Sequence, residues 1–273
     1  MSYRNRPKKT GRLATIARRF DNENMMQTAA ALAFTTLLAL VPLVTLVVSI
    51  GSAVPFFDLL MKRFDSLIVG GLLPQSSAGV IVSYVAKFTE KARSLTIPGL
   101  LVLSLTAFLL LHTIEHAFNH LWQVKPRPLL QRLRLYTFVM IAWPFLLGGL
   151  AALMSYAVTL SLGFMQETGW VRPFAYKALS VLLLGLFFAF LYYAVPNAKV
   201  GKASAMLGGT FATIAFALMQ RAFEWYLGSF AGFKSIYGAL AAIPIFLVWL
   251  QLSWAVVLLG GLIAASFFRP QRR

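Results

Sequence analysis

The three histidines of the chain, His112, His116 and His120, all fall in one stretch, LLLHTIEHAFNHLWQV over 109–124, together with Glu115 and Asn119. Imidazole titrates near neutral pH, so a proton-linked role is open to these residues. Two histidines four apart on a helix can also ligate one metal ion. Helical spacing places His112, Glu115, His116 and Asn119 on one face. Histidines repeated every fourth residue drift around the helix by about 40° per step, so His112 and His120 diverge. No cysteine exists in the chain and no second carboxylate lies close in sequence. No metal and no cofactor is therefore expected. A second polar cluster is Gln220, Arg221 and Glu224, in which Arg221 and Glu224 are spaced to pair along one helix face. There is no Walker loop, HExxH or G-x-S-x-G. The eight acids are too scattered for a two-metal nuclease centre, so an enzyme is not expected. Two uses remain for the polar groups: a wet path for a substrate or proton, or hydrogen bonds that only pack helices.

The elements that carry these residues are set by composition. Of 273 residues, 59% are hydrophobic and 12% charged, too apolar for one soluble core. Several stretches reach the roughly 20 apolar residues that cross hydrocarbon. The sequence predicts an all-α, polytopic membrane protein with six transmembrane helices, over about 28–53, 96–120, 135–162, 174–195, 201–223 and 240–267. The first run is too long for a signal peptide and reads as an uncleaved span containing Pro42. Around this single domain, 28–268, stand a basic arm, 1–27, and a short tail, 269–273. Between spans one and two, 54–95 reads as two external amphipathic helices.

The formal charge is +17, and its placement suggests topology rather than nucleic acid. Sixteen of the 25 basic residues fall in the arm, the 2–3 and 4–5 connections and the tail. Both termini are therefore expected in the cytoplasm, where anionic headgroups are the natural partners and nucleic acid is not. Trp122 would anchor the second span at the interface, which sets Glu115 roughly 10 Å deep. A carboxylate at that depth belongs in a protein interior or a wet cavity. Small residues at Gly201, Ala205, Gly209 and Thr213, at Gly260 and Ala264, and at Ala29 and Ala33 mark close helix approaches.

Four segments in order, AAALAFTTLLALVPL, IEHAFNHLWQV, YYAVPNAKV and FKSIYGALAAIPIFLVWLQLSWAVVLLGG, resemble the YihY/BrkB family of bacterial inner-membrane proteins. The resemblance runs from about residue 12 to 268. It implies six spans with both termini inside. Glu115, Asn119 and Trp122 match the family's E-x-x-x-N-x-x-W pattern, Pro196 and Asn197 its P-N element, and Tyr237 and Gly238 its Y-G element. The histidines lie outside the pattern. The family has carried a tRNA-processing ribonuclease label, for which these residues supply no chemistry. Movement of lipids or other amphiphiles has been proposed for part of it. The expectation is thus transport of a lipid or amphiphile, with Glu115 and Asn119 near the inner end of a polar path and Arg221 near the outer end. The rival is a non-transporting scaffold of an envelope complex. Membrane lipids, a second copy of the chain or an envelope protein are the candidate partners.

Overall fold

The structure is a computed structural model that describes residues 12–51, 97–139, 171–229 and 242–267. The expected external helices of 54–95, most of the third span, and Tyr237 and Gly238 lie outside the described residues. Everything described is helix or connection. The helices are α1 (Arg12–Asn22), α2 (Met25–Gly51), α3 (Ile97–Leu121), α4 (helical over 129–139), α5 (Val171–Ala194), α6 (Lys202–Ser229) and α7 (Ala242–Ser266). Among the described residues, Leu101–Leu121, Lys202–Gly228 and Ala242–Ser266 are long and apolar enough to cross a membrane. Within α2 and α5, Met25–Leu40 and Val181–Ala194 are shorter apolar stretches. The protein is a helical membrane protein.

The described part of the basic arm is helical from Arg12. Ile16 and Phe20, four apart in α1, turn inward and join the core, while Ala17 and Arg18 stay exposed. The chain then turns at Asn24, whose φ of 50° is the left-handed conformation that asparagine tolerates. The Asn24 carbonyl accepts the amides of Gln27 and Thr28 and so begins α2. The helix that carries the first expected span thus begins at Met25.

α7 is the hub. It packs closely on α6 and α2 and also touches α3, α1 and α5, while α5 packs on α6 and α2 on α3. Glycines make the tight crossings possible. A Cβ on Gly208 would stand 2.6 Å from the carbonyl oxygen of Gly260, and one on Gly209 would stand 2.7 Å from the amide nitrogen of Ala189. The expected small-residue faces are buried at Ala205, Gly209 and Thr213, at Gly260 and Ala264, and at Ala29 and Ala33. Gly201 differs: it is exposed, because it precedes the first turn of α6. The fully buried Tyr192 donates its hydroxyl to the Val257 carbonyl at 2.8 Å, tying α5 to α7. Trp254 Nε1 donates to Thr36 Oγ1 at 3.0 Å and ties α7 to α2.

The described connections meet at one end of the bundle. Arg19 Nη2 donates to the Leu121 carbonyl at 3.1 Å, and Asn197 Nδ2 to the Lys125 carbonyl at 2.9 Å. Ser204 reaches the Phe267 carbonyl at 3.5 Å. Arg18, Arg19, Lys125, Arg127, Lys199 and Lys202 are thereby gathered at this basic end.

Candidate functional site

α3 stops at a Schellman turn. The amide of Val124 bonds the Asn119 carbonyl and that of Gln123 bonds the His120 carbonyl, both at 3.0 Å, with Gln123 at φ 52°. The chain reverses through Pro126 and Pro128, and the Pro128 carbonyl takes the amides of Gln131 and Arg132 to start α4. This reversal folds Arg127, Arg132 and Tyr136 back onto the last two turns of α3.

They converge on Glu115. The residue is buried, 3% exposed, in a segment where an unpaired carboxylate would be very costly. Its Oε1 accepts from Arg127 Nη1 at 3.1 Å and from Asn119 Nδ2 at 3.2 Å. Its Oε2 accepts a hydrogen bond from the Tyr136 hydroxyl. Arg132 Nε lies 3.5 Å from the same oxygen. That is an ion-pair distance without hydrogen-bond alignment, and the buried Nε has no hydrogen-bond partner. The two arginines are therefore held unequally. Arg127 also donates to the carbonyls of Ala194, Val195 and Pro196 at 3.3, 2.8 and 3.1 Å. A cation there satisfies orphan carbonyls at the end of α5 and suits the helix dipole. Among the described residues, Arg132 has only the loose Glu115 contact and His112 Nδ1, 3.3 Å from its Nη1.

Asn119 extends the network. Its Oδ1 accepts the Asn197 amide at 2.7 Å, while Asn197 Nδ2 holds the Lys125 carbonyl. Pro196 is fully buried beside it. Glu115, Asn119, Pro196 and Asn197, far apart in sequence, thus form one knot joining α3, the 122–128 connection, α4 and the turn after α5.

Several expected positions change. His116 is exposed, so the inward polar face narrows to Glu115 and Asn119, with His112 at its edge. One residue along a helix is about 100° of rotation, enough to turn His116 away from Glu115. His112 Nδ1 lies 3.3 Å from Arg132 Nη1, so the ring faces a guanidinium. His120 is exposed, its Nδ1 3.8 Å from Glu23 Oε2. Trp122 is no interface anchor: it is buried, 5% exposed, and stacks on Phe118 near Tyr192. Arg221 and Glu224 are exposed on α6. Glu224 accepts from Gln220 Nε2 at 3.4 Å instead of forming the expected pair with Arg221. Arg127, Arg132 and Tyr136 were missed as site residues. The two arginines counted only toward topology, although the need of a buried carboxylate for cations could have drawn attention to them.

The profile of a family described as "Virulence factor BrkB" matches residues 16–272. A UPF0761 membrane protein of Azoarcus sp. (strain BH72) is 41% identical over 264 residues, covering 95% of this chain and 65% of that protein. One of Aromatoleum aromaticum is 42% identical over 258 residues, covering 93% and 63%. One of Methylibium petroleiphilum is 38% identical over 254 residues, covering 93% and 61%. The chain therefore spans less than two thirds of the length of these relatives. No solved structure matches it.

Proposed function

The chain belongs to the BrkB family, and from that premise we propose that it moves a lipid or other amphiphile across the bacterial inner membrane, with the Glu115 knot as the latch at the inner end of its path. The observation that carries this reading is the unequal hold on the two arginines. Arg127 is fixed by three backbone carbonyls, whereas among the described residues Arg132 meets a loose ion pair with Glu115 and the His112 ring. An anionic headgroup that reaches the knot competes with Glu115 for Arg132, because phosphate and carboxylate both match a guanidinium. Arg132 can change partners while Arg127 holds the helices in place. In this reading the chain has six spans, is not an enzyme, and takes membrane lipids rather than nucleic acid as its ligands.

Glu115→Gln tests the latch. Glutamine keeps the shape and a carbonyl acceptor for Arg127 but removes the charge that balances two guanidiniums. Protein reconstituted into liposomes with a fluorescent phospholipid should transfer label between leaflets, read by bleaching of the outer leaflet. The variant should insert normally and transfer at least roughly tenfold more slowly, the rate factor of a 1.4 kcal/mol change in barrier. His120→Ala should leave transfer unchanged. Full transfer by Glu115→Gln would remove the latch. The saturated hydrogen bonding of the carboxylate also favours a second reading, a fixed strut in a scaffold. That reading expects no transfer from the parent protein and a variant altered only in stability.

The orientation belongs to the same proposal and has its own test. With no native cysteine, Lys199→Cys supplies a single thiol at the basic end. In a cytoplasmic basic end, an impermeant maleimide should label it only after the inner membrane is opened. Labelling of sealed spheroplasts would reverse the assignment.

A further inference from the structure

The start of α4 has two unlike faces. Arg132 and Tyr136 turn inward to Glu115. Away from them Leu130, Leu133 and Phe138 are 62, 50 and 68% exposed. Arg134 is exposed on this outer side, four residues after Leu130 and four before Phe138. Lys125, also exposed, lies on the connection that leads into α4. Large apolar side chains grouped in this way are not left to water. They sit just past the end of α3, which is long and apolar enough to cross a membrane. That is the depth at which hydrocarbon gives way to headgroups. Leucines beside a guanidinium match an amphiphile: acyl chain on the first, phosphodiester on the second.

We propose that the outer face of the start of α4 docks one anionic phospholipid, with its phosphate on Arg134 and its acyl chains along Leu130, Leu133 and Phe138, while Lys125 on the adjoining connection adds to the basic field. The proposal rests on the reading above in one respect, that the basic end faces the anionic leaflet. It adds a place: the headgroup stands one helix width from Glu115, because Arg132, two residues before Arg134, is the group that touches the carboxylate.

Native mass spectrometry of the full chain in detergent provides the test, with phosphatidylglycerol and phosphatidylcholine added separately. The protein should retain phosphatidylglycerol roughly tenfold better, as expected for two basic groups near a headgroup. Lys125→Gln with Arg134→Gln should erase that preference without changing thermal stability. Leu130→Asn with Leu133→Asn should weaken retention of both lipids. Equal retention of the two lipids by the parent protein, or an undiminished preference in the charge variant, overturns the proposal. So does displacement of the lipid by glycerol 3-phosphate at equal concentration, which would mean that only the anion is held. A dimer that the leucine variant dissolves, with lipid retention unchanged, would assign the face to a second copy. Lipid transfer in liposomes is read separately. A preference without transfer sinks only the transport reading, and transfer without a preference sinks only the docking site.

Discussion

Arg127→Leu is expected to destabilise the protein by roughly 3–5 kcal/mol, the range for breaking a buried ion pair by removing one partner. The change strips a donor from Glu115 Oε1 and from three carbonyls at the end of α5 at once. Each buried polar group left unpaired adds a penalty of its own. Arg127→Lys should recover only part of the loss, because one ammonium on a flexible stem cannot reproduce the planar fork that reaches four oxygens. Arg132→Leu should be much milder, since its Nε makes no aligned hydrogen bond in the parent. Thermal unfolding in detergent, followed by circular dichroism, would rank the three. The double variant Arg127→Leu, Glu115→Leu should be less damaged than the sum of its singles, because the Arg127–Glu115 pair is removed whole and only Arg132 loses a carboxylate partner. A stability for Arg127→Leu within about 1 kcal/mol of the parent would mean that the arginine only decorates the knot.

What sequence could and could not deliver follows from the range of the forces involved. Long apolar runs report helices directly, so the expected 96–120 and 240–267 fall within a few residues of α3 and α7. The fifth span was expected to end at 223 but α6 runs to Ser229. Arg221 and Glu224 read as the end of an apolar run, yet both are exposed and interrupt nothing in the backbone. α1 escaped notice because its apolar contribution is as small as Ile16 and Phe20 among arginines. In the site, Glu115 and Asn119 were legible because they share a helix face and a carboxylate inside an apolar run has few other reasons to exist. Their partners were not. Arg127 reaches Glu115 across 12 residues and Val195 across 68, after a reversal set by a left-handed glutamine and two prolines. No periodicity reports such a contact. Trp122 was misplaced for a related reason: tryptophan near the end of a span usually marks the interface. Here the neighbouring Phe118 and the glycine at 261 make room for it inside, where a Cβ on Gly261 would meet the Trp122 ring at 3.5 Å.

Gly208→Ala and Gly260→Ala should each destabilise the bundle by roughly 1–3 kcal/mol, the usual penalty for overpacking, although alanine is the better helix former. Helices in lipid lack a water-driven attraction and gain from close backbone approach, which is what these residues permit. At Gly208 the new methyl would stand 2.6 Å from the Gly260 carbonyl oxygen and 2.7 Å from the Ala264 Cβ. Neither is the movable end of a long side chain, so α6 and α7 must separate. At Gly260 the methyl would run into the Tyr192 hydroxyl and stand 2.8 Å from the Ala212 Cβ. Tyr192 would then give up its bond to Val257, leaving a buried hydroxyl unpaired. Gly261→Ala should be gentler, since its closest neighbour is Leu121 Cδ1 at 3.2 Å, which can rotate aside. Gly228→Ala is the control: nothing lies within 4 Å, so only helix propensity acts, and stability should rise by up to about 1 kcal/mol. The order of unfolding temperatures should therefore be Gly228→Ala highest, the parent next, Gly261→Ala below it, and the Gly208 and Gly260 variants lowest. If Gly208→Ala proved as harmless as Gly228→Ala, the two helices could not cross as closely as the Gly208–Gly260 contact requires.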